Sequence, residues 1–143
     1  MSFPGGSCEP SDRGGAATAL REAREEIGLR AEEASVVGRL DDIRTVTRYA
    51  ITPVVARIPD RRYDPDEREV AEVAVLSFAA LTDPENYAME RREHPERGPV
   101  DVHFFRVDGY TVWGATAQIL VQFLGLAFDW TPPAESVSVA DES

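Results

Sequence analysis

Several things are scarce in this sequence of 143 residues. It has one cysteine, Cys8, so no internal disulfide can form, which fits a reducing, cytoplasmic setting. No apolar run reaches the length of a membrane-spanning helix, roughly 18 residues. The most apolar stretch, Ala115 to Phe128, is short and interrupted by Gln118, Gln122 and Gly125. The opening Met1-Ser2-Phe3-Pro4-Gly5-Gly6 lacks the basic and apolar regions of a secretion signal. Basic residues are also in deficit: 15 Lys plus Arg against 26 Asp plus Glu leave a net charge of −11. A chain this acidic is ill-suited to a nucleic-acid backbone. It can still hold a phosphorylated small molecule where cations bridge the two, which directs attention to a metal site.

What is present suits an ordinary globular domain. Hydrophobic residues make up 43% and charged residues 29%, and a chain of this length points to one domain with a real core. Residues 2–15 are rich in Gly, Pro, Ser and Asp and read as a loop, and 16–28 read as a helix stopped by Gly28. Val36 to Leu40 is a short strand. Arg44 to Ile58 is a longer one, in which Pro53 marks an edge, a bulge or an end. Pro59 to Arg68 is a charged loop and Val70 to Phe78 is strand-like. Leu81 to Pro99 holds a turn and an exposed charged stretch. Val100 to Val107 is a strand, and Asp108-Gly109 turns into Tyr110 to Trp113. Ala115 to Leu126 is a second helix, and 129–143 reads as a disordered tail.

The first helix carries chemistry. At about 100° per residue, Ala16, Leu20, Ala23 and Ile27 share one face, and Glu22, Glu25 and Glu26 fall on the face beside it. Carboxylates at these spacings repel by roughly 0.2–0.5 kcal/mol per pair. Arg21 offers Glu25 an i,i+4 partner, whereas Glu22 and Glu26 have none within the helix. A divalent cation would supply one, since magnesium takes oxygen ligands, often one or two carboxylates with substrate phosphates. Taken alone, R-E-x-x-E-E is more often a solvated helix face than a metal site, so the flanking sequence decides.

Phe3-Pro4-Gly5-Gly6, then Glu9 and Asp12, then Ala19-Leu20-Arg21-Glu22-Ala23-Arg24-Glu25-Glu26-Ile27-Gly28-Leu29 resembles a Nudix box, G-x5-E-x7-R-E-U-x-E-E-x-G-U with U apolar. Two departures stand out: Asp12 replaces the first glutamate, and eight residues separate it from Arg21 where the pattern has seven. The variant is similar to the coenzyme A diphosphatase branch, with its F-P-G-G-x-x-[DE]-x-x-D opening. Gly38 to Asp42, Thr45-Val46-Thr47, Tyr49, Ile51 to Val55, Glu69-Val70, and Tyr110 to Ala117 continue the likeness, over about residues 3–126.

The resemblance implies an α/β fold, a Nudix-like α/β/α sandwich with a mixed sheet, spanning 1–128 here. It implies Mg2+ or Mn2+ as cofactor and a small nucleoside-diphosphate-linked substrate. It makes Glu22 and Glu26 metal ligands, with Gly6 adding a backbone carbonyl where glycine permits close approach. Glu22, Glu25 and Arg21 are the catalytic candidates; Glu25 is a further ligand, a base on water, or the partner of Arg21. Asp12 stands where the box glutamate would orient Arg21. A further carboxylate from a later loop has candidates in Asp66, Glu67 and Glu69. Tyr49, Thr52 and Trp113 are the substrate-binding candidates, although aromatics in strands, Phe105 included, are more often core. His94, His103 and Cys8 lack ligand or nucleophile spacing. The family's strands before the box have no counterpart here, so the domain is expected to be N-terminally incomplete, with an exposed sheet edge and a second copy of the chain as a candidate partner.

Overall fold

The structure is a computed structural model that describes residues 1–45, 49–133 and 137–138. Val46 and Thr47, quoted above for the resemblance, and most of the expected tail lie outside the described residues. The chain forms two compact units, Phe3–Val75 and Leu76–Ser143, the latter with Met1–Ser2. It is an α/β chain with three small sheets among the described residues. None of the described helices is long and apolar enough to cross a membrane.

In the first unit, the alanine-rich segment Gly15–Ile27 forms helix α1. Its apolar stripe turns inward: Ala23 is buried, and Ala16, Leu20 and Ile27 are half-buried. Gly28 ends the helix with φ 73°, a backbone state that favours glycine. From there the N–H of Gly28 donates to the Arg24 carbonyl at 3.1 Å and that of Leu29 to Ala23 at 3.3 Å. Strands β1 (Ser35–Arg39) and β4 (Val54–Arg57) pair antiparallel, with an irregularity between Val36 and Gly38. Strands β2 (Ile43–Arg44) and β3 (Ala50–Ile51) form a separate short ladder. The single strand expected over 44–58 is therefore broken. Pro53 has no N–H to give a ladder, and its carbonyl instead accepts from the Leu40 N–H at 3.0 Å.

Ala23, Leu29 and Tyr63 form the core of this unit, with Ile27, Ala34 and Val73 packed against them. The charged loop from Pro59 thus delivers a buried aromatic. Arg61 ties it down: Nε donates to Glu33 Oε1 at 2.9 Å, while Nη2 donates to Glu33 Oε2 at 2.7 Å and to the Gly28 carbonyl at 3.1 Å. Its guanidinium carbon lies 4.0 Å from the centre of the Tyr63 ring. The expected strand over Val70 to Phe78 does not form. Val73 turns into the Tyr63 core, and the Ser77 hydroxyl accepts from the Ala80 N–H at 3.1 Å, starting helix α2 (Phe78–Leu81).

The second unit is built on a hairpin. Strands β5 (Tyr87–His94), β6 (Gly98–Val107) and β7 (Tyr110–Trp113) run antiparallel, and β8 (Val137–Ser138) adds in parallel beside β5, which makes a mixed sheet in the order β7-β6-β5-β8. Asp108 (φ 53°) and Gly109 (φ 81°) make the tight turn read from the sequence. Helix α3 (Gly114–Phe128) lays Ala117, Leu120 and Leu124 against Tyr87, Phe105, Val107 and Val112. The charged stretch Glu90 to His94, expected to be an exposed loop segment, is the outer part of β5. The expected tail opens with ordered residues: Trp130 packs on Tyr87 and Phe105 at 5.5 and 5.8 Å between ring centroids, and Val137–Ser138 forms β8.

Arg61 holds the Glu33 carboxyl down to about 2 from an ordinary 4.5, chiefly by hydrogen bonding to it. A lowered carboxylate stabilises the fold fully above pH 4.5, and that contribution disappears as the pH falls toward 2. Melting followed by circular dichroism should therefore show Glu33→Gln less stable than wild type at neutral pH. The difference should shrink through that acid window; a constant difference at every pH would contradict it.

Candidate active site

Gly5-Gly6 and the second half of α1, from Arg21 onward, converge on one cluster of charge. Arg21 lies at its centre. Its Nε donates to Asp12 Oδ1 at 3.1 Å and its Nη2 to Asp12 Oδ2 at 3.2 Å and to the Ser7 carbonyl at 3.0 Å. Its Nη1 lies 3.1 Å from Glu22, 3.3 Å from Glu25 and 3.4 Å from Glu9. The expectation that Glu22 has no partner within the helix is thus corrected: the long guanidinium reaches the neighbouring residue as well as the one a turn on.

Asp12 receives more donors than any other carboxylate described at this site. Beside Arg21, Oδ2 accepts from the Glu9 N–H at 2.8 Å and from the Thr18 hydroxyl at 3.0 Å. The Asp12 side chain is only 6% exposed. The Arg21 hydrogen bond, then the Glu9 N–H, holds its carboxyl below the usual range, and the same pairing raises Arg21 further above its ordinary value. The acid displaced by one position from the family spacing therefore still meets Arg21.

Glu26 behaves in the opposite way. Burial first, then the charge of Glu22, pushes its carboxyl up, with Glu69 adding a smaller repulsion, while a hydrogen bond from the Gly5 N–H works against the rise. The charge of Glu22 acts directly on the Glu26 carboxyl. Gly6 sits directly on this pair. A Cβ built at Gly6 would lie 2.6 Å from the Glu22 carboxyl carbon, so only glycine allows so close an approach, whereas a Cβ at Gly5 would meet nothing within 4 Å.

Two adjoining carboxylates under a glycine loop, one of them resisting ionisation through burial and then through the charge of the other, are a donor set that suits a hard dication. No group of three His, Cys, Asp or Glu forms a ready cage among the described residues. The protein's share is the Glu22 and Glu26 pair, and the remaining ligands would come from backbone, water and substrate. Glu25 sits to one side, its side chain 53% exposed and held by Arg21. Of the later acids, Glu69 is the one whose charge reaches Glu26; the Asp66 N–H, donating to the Glu26 carbonyl at 2.8 Å, fixes that loop to α1. Asp66 itself is engaged by Arg68.

The substrate-binding candidates belong to other elements. Tyr49 is 69% exposed beside β3. The Thr52 hydroxyl donates to Asp42 at 2.7 Å. Trp113, 54% exposed at the end of β7, stacks on Phe104 at 6.3 Å. Phe105 is fully buried and belongs to the core. Sequence reasoning missed Thr18, buried at 7% exposure; a lone hydroxyl one turn before Arg21 in an alanine-rich helix was the available signal.

The fold is of the α/β class with a helix of paired carboxylates, and comparison with known proteins gives its family. The family described as NUDIX domain matches residues 1–97, and the chain belongs to it. It is 36% identical over 124 residues to the "Uncharacterized Nudix hydrolase NudL" of Enterobacter sp. (strain 638), covering 84% of this chain and 62% of that protein. Similar figures, 36% over 124 residues with 84% and 62% covered, hold for the protein of the same name from Escherichia coli (strain K12). Identity is 31% over 126 residues for that of Photorhabdus laumondii subsp. laumondii, with 85% and 65% covered. The chain thus spans less than two thirds of the length of these relatives.

The glycine contacts give a paired test. The Glu22 carboxylate ends a flexible side chain, so Gly6→Ala should displace it at little cost to folding. The expected result is a shifted Glu22 side-chain carboxyl signal in carbon-13 NMR, with a melting temperature close to wild type. Gly5→Ala should leave that signal in place. Equal shifts in both variants would overturn the assignment of close approach to Gly6.

Proposed function

We propose that this chain carries the catalytic helix of a metal-dependent diphosphatase that hydrolyses coenzyme A or a derivative to 3′,5′-ADP and 4′-phosphopantetheine. The observation that carries it is the Glu22 and Glu26 pair beneath Gly5 and Gly6, with burial and mutual repulsion acting on Glu26. Glu22 and Glu26 would hold Mg2+ or Mn2+, with a Gly6 carbonyl beside them. The ion would neutralise charge on the diphosphate and polarise phosphorus.

The remaining roles belong to the chain's own groups. Arg21, pinned by Asp12, orients Glu22 and Glu25. Glu25, the most exposed of the three helix glutamates, accepts the proton of the water that attacks phosphorus as the diphosphate P–O bond breaks. Glu69 is the later-loop carboxylate placed to assist. Tyr49, Thr52 and Trp113 are assigned to the substrate, with the exposed rings of Tyr49 and Trp113 suited to stacking on adenine. The coenzyme A specificity rests on the F-P-G-G-x-x-E-x-x-D opening and on the likeness that continues through Trp113-Gly114-Ala115-Thr116-Ala117. ADP-ribose, NADH and nucleoside triphosphates are the alternative substrates of the same chemistry. The site is assigned to a cytoplasmic protein acting on a small molecule, with self-pairing as its candidate assembly.

A second reading is a non-catalytic chain that binds a nucleotide or a protein partner. One assay separates the two. The purified chain, given coenzyme A with Mg2+ or Mn2+, should release both products, and Glu26→Gln should lower turnover by more than about a hundredfold. No turnover by the wild type, or equal turnover by the variant, would sink the catalytic reading.

A further inference from the structure

Thr18 is a buried polar residue in a helix whose inward stripe is otherwise apolar. Its Oγ1 lies 3.0 Å from Asp12 Oδ2 and 3.2 Å from the Gly14 carbonyl. A hydroxyl has one proton to donate, and the ionised carboxylate is the stronger acceptor. The Glu9 N–H reaches the same oxygen at 2.8 Å from the loop side. Asp12 is therefore clamped from two directions, and its carboxylate faces the Nε and Nη2 edge of Arg21. With that edge engaged and Nη2 also bound to the Ser7 carbonyl, the third nitrogen of Arg21 is left directed at Glu22 and Glu25. The chain of contacts runs from a neutral hydroxyl, through one buried acid and one arginine, to the carboxylates at the front of the site.

We propose that Thr18 is a positioning residue: acting through Asp12 and Arg21, its hydroxyl sets where Glu22 stands as a ligand for a divalent cation, and where Glu25 stands beside it. It rests on the metal site proposed above and adds to it a residue that never touches the ion. Valine matches threonine in shape, so Thr18→Val removes the hydroxyl and keeps the packing. Removal of one hydrogen bond to a charged group behind a metal site registers on the order of three- to tenfold in affinity.

The test is a titration of the full chain with Mn2+ alone, with free ion read by electron paramagnetic resonance. Thr18→Val should bind roughly three- to tenfold more weakly than wild type, with far-UV circular dichroism unchanged. Thr18→Ser should restore the affinity to within about twofold. In an Asp12→Asn background, Thr18→Val should have no further effect, because both act on one contact. Should the valine variant fold poorly, Thr18→Ala is read the same way against Thr18→Ser. Wild-type affinity in Thr18→Val overturns the proposal, as does equal weakening in Thr18→Ser, or full additivity with Asp12→Asn. Glu26→Gln in parallel separates the two levels: if it binds Mn2+ as tightly as wild type, the metal site falls and the relay falls with it. If Glu26→Gln weakens binding and Thr18→Val does not, the relay alone is wrong.

Discussion

The guanidinium of Arg21 lies within ion-pair distance of four carboxylates at once: Glu9, Asp12, Glu22 and Glu25. One cation cannot neutralise four anions, so its geometry matters more than its charge. The planar fork offers one edge and one outward nitrogen. The edge is consumed by Asp12, and the outward nitrogen is divided among the others. This division orders the loop over residues 3–12 against α1 and brings Gly6 down on Glu22. Glu26 lies outside this division, and burial, then the charge of Glu22, pushes its carboxyl up. Two adjoining carboxylates that share at most one arm of a single guanidinium are where a dication gains most.

The far end of α1 is held by the same kind of device. Arg61 bonds the Gly28 carbonyl, where the helix exposes its negative end, and at the same time pairs with Glu33 and covers Tyr63. The loop that carries Arg61 continues to Asp66, whose N–H takes the Glu26 carbonyl, and to Glu69. The helix is thus tied at both ends to loops that bring in acids. Its own sequence supplies mainly alanine contacts, which bury little area per residue. Polar ties at its ends accordingly fix the helix where apolar packing alone would let it slide.

Legibility in the sequence followed how local each signal was. The limits of α1, its inward stripe, the Gly28 stop, the β6 to β7 turn and α3 all follow from residues close together in the chain, and the structure shows them there. The failures involve tertiary context. Val70 to Phe78 has a strand's composition, but Val73 is captured by Tyr63 and Phe78 by the Ser77 cap. Glu90 to His94 reads as a loop because its side chains are charged, yet the backbone pairs with β6 and Arg91 meets Asp101 across the strands at 3.1 Å. Charge patterns report what a side chain faces, and a strand's outer end faces water. At the site, the shared face of the helix glutamates was readable from spacing, and Gly6 only from the family resemblance. Thr18 and the approach of Glu69 were not, since each depends on a loop folding back.

The displaced acid shows what the spacing in the box stands for. Glutamate with seven residues before the arginine and aspartate with eight differ in two ways: the side chain is shorter by one methylene, and the connecting segment is longer by one residue. Here the extra residue lies between Asp12 and Arg21, in a segment containing Gly14 at φ 102°, which turns the chain into α1. The turn from Glu9 to Asp12, closed by the Asp12 N–H on the Glu9 carbonyl at 2.9 Å, presents the shorter acid from the other side. Both oxygens of Asp12 then reach Arg21. What the fold has to satisfy is a fixed carboxylate facing one edge of Arg21, and two different combinations of side-chain length and loop length can satisfy it. A donor such as Thr18 matters more in this variant, because a shorter acid on a longer tether has more freedom to lose when it is clamped.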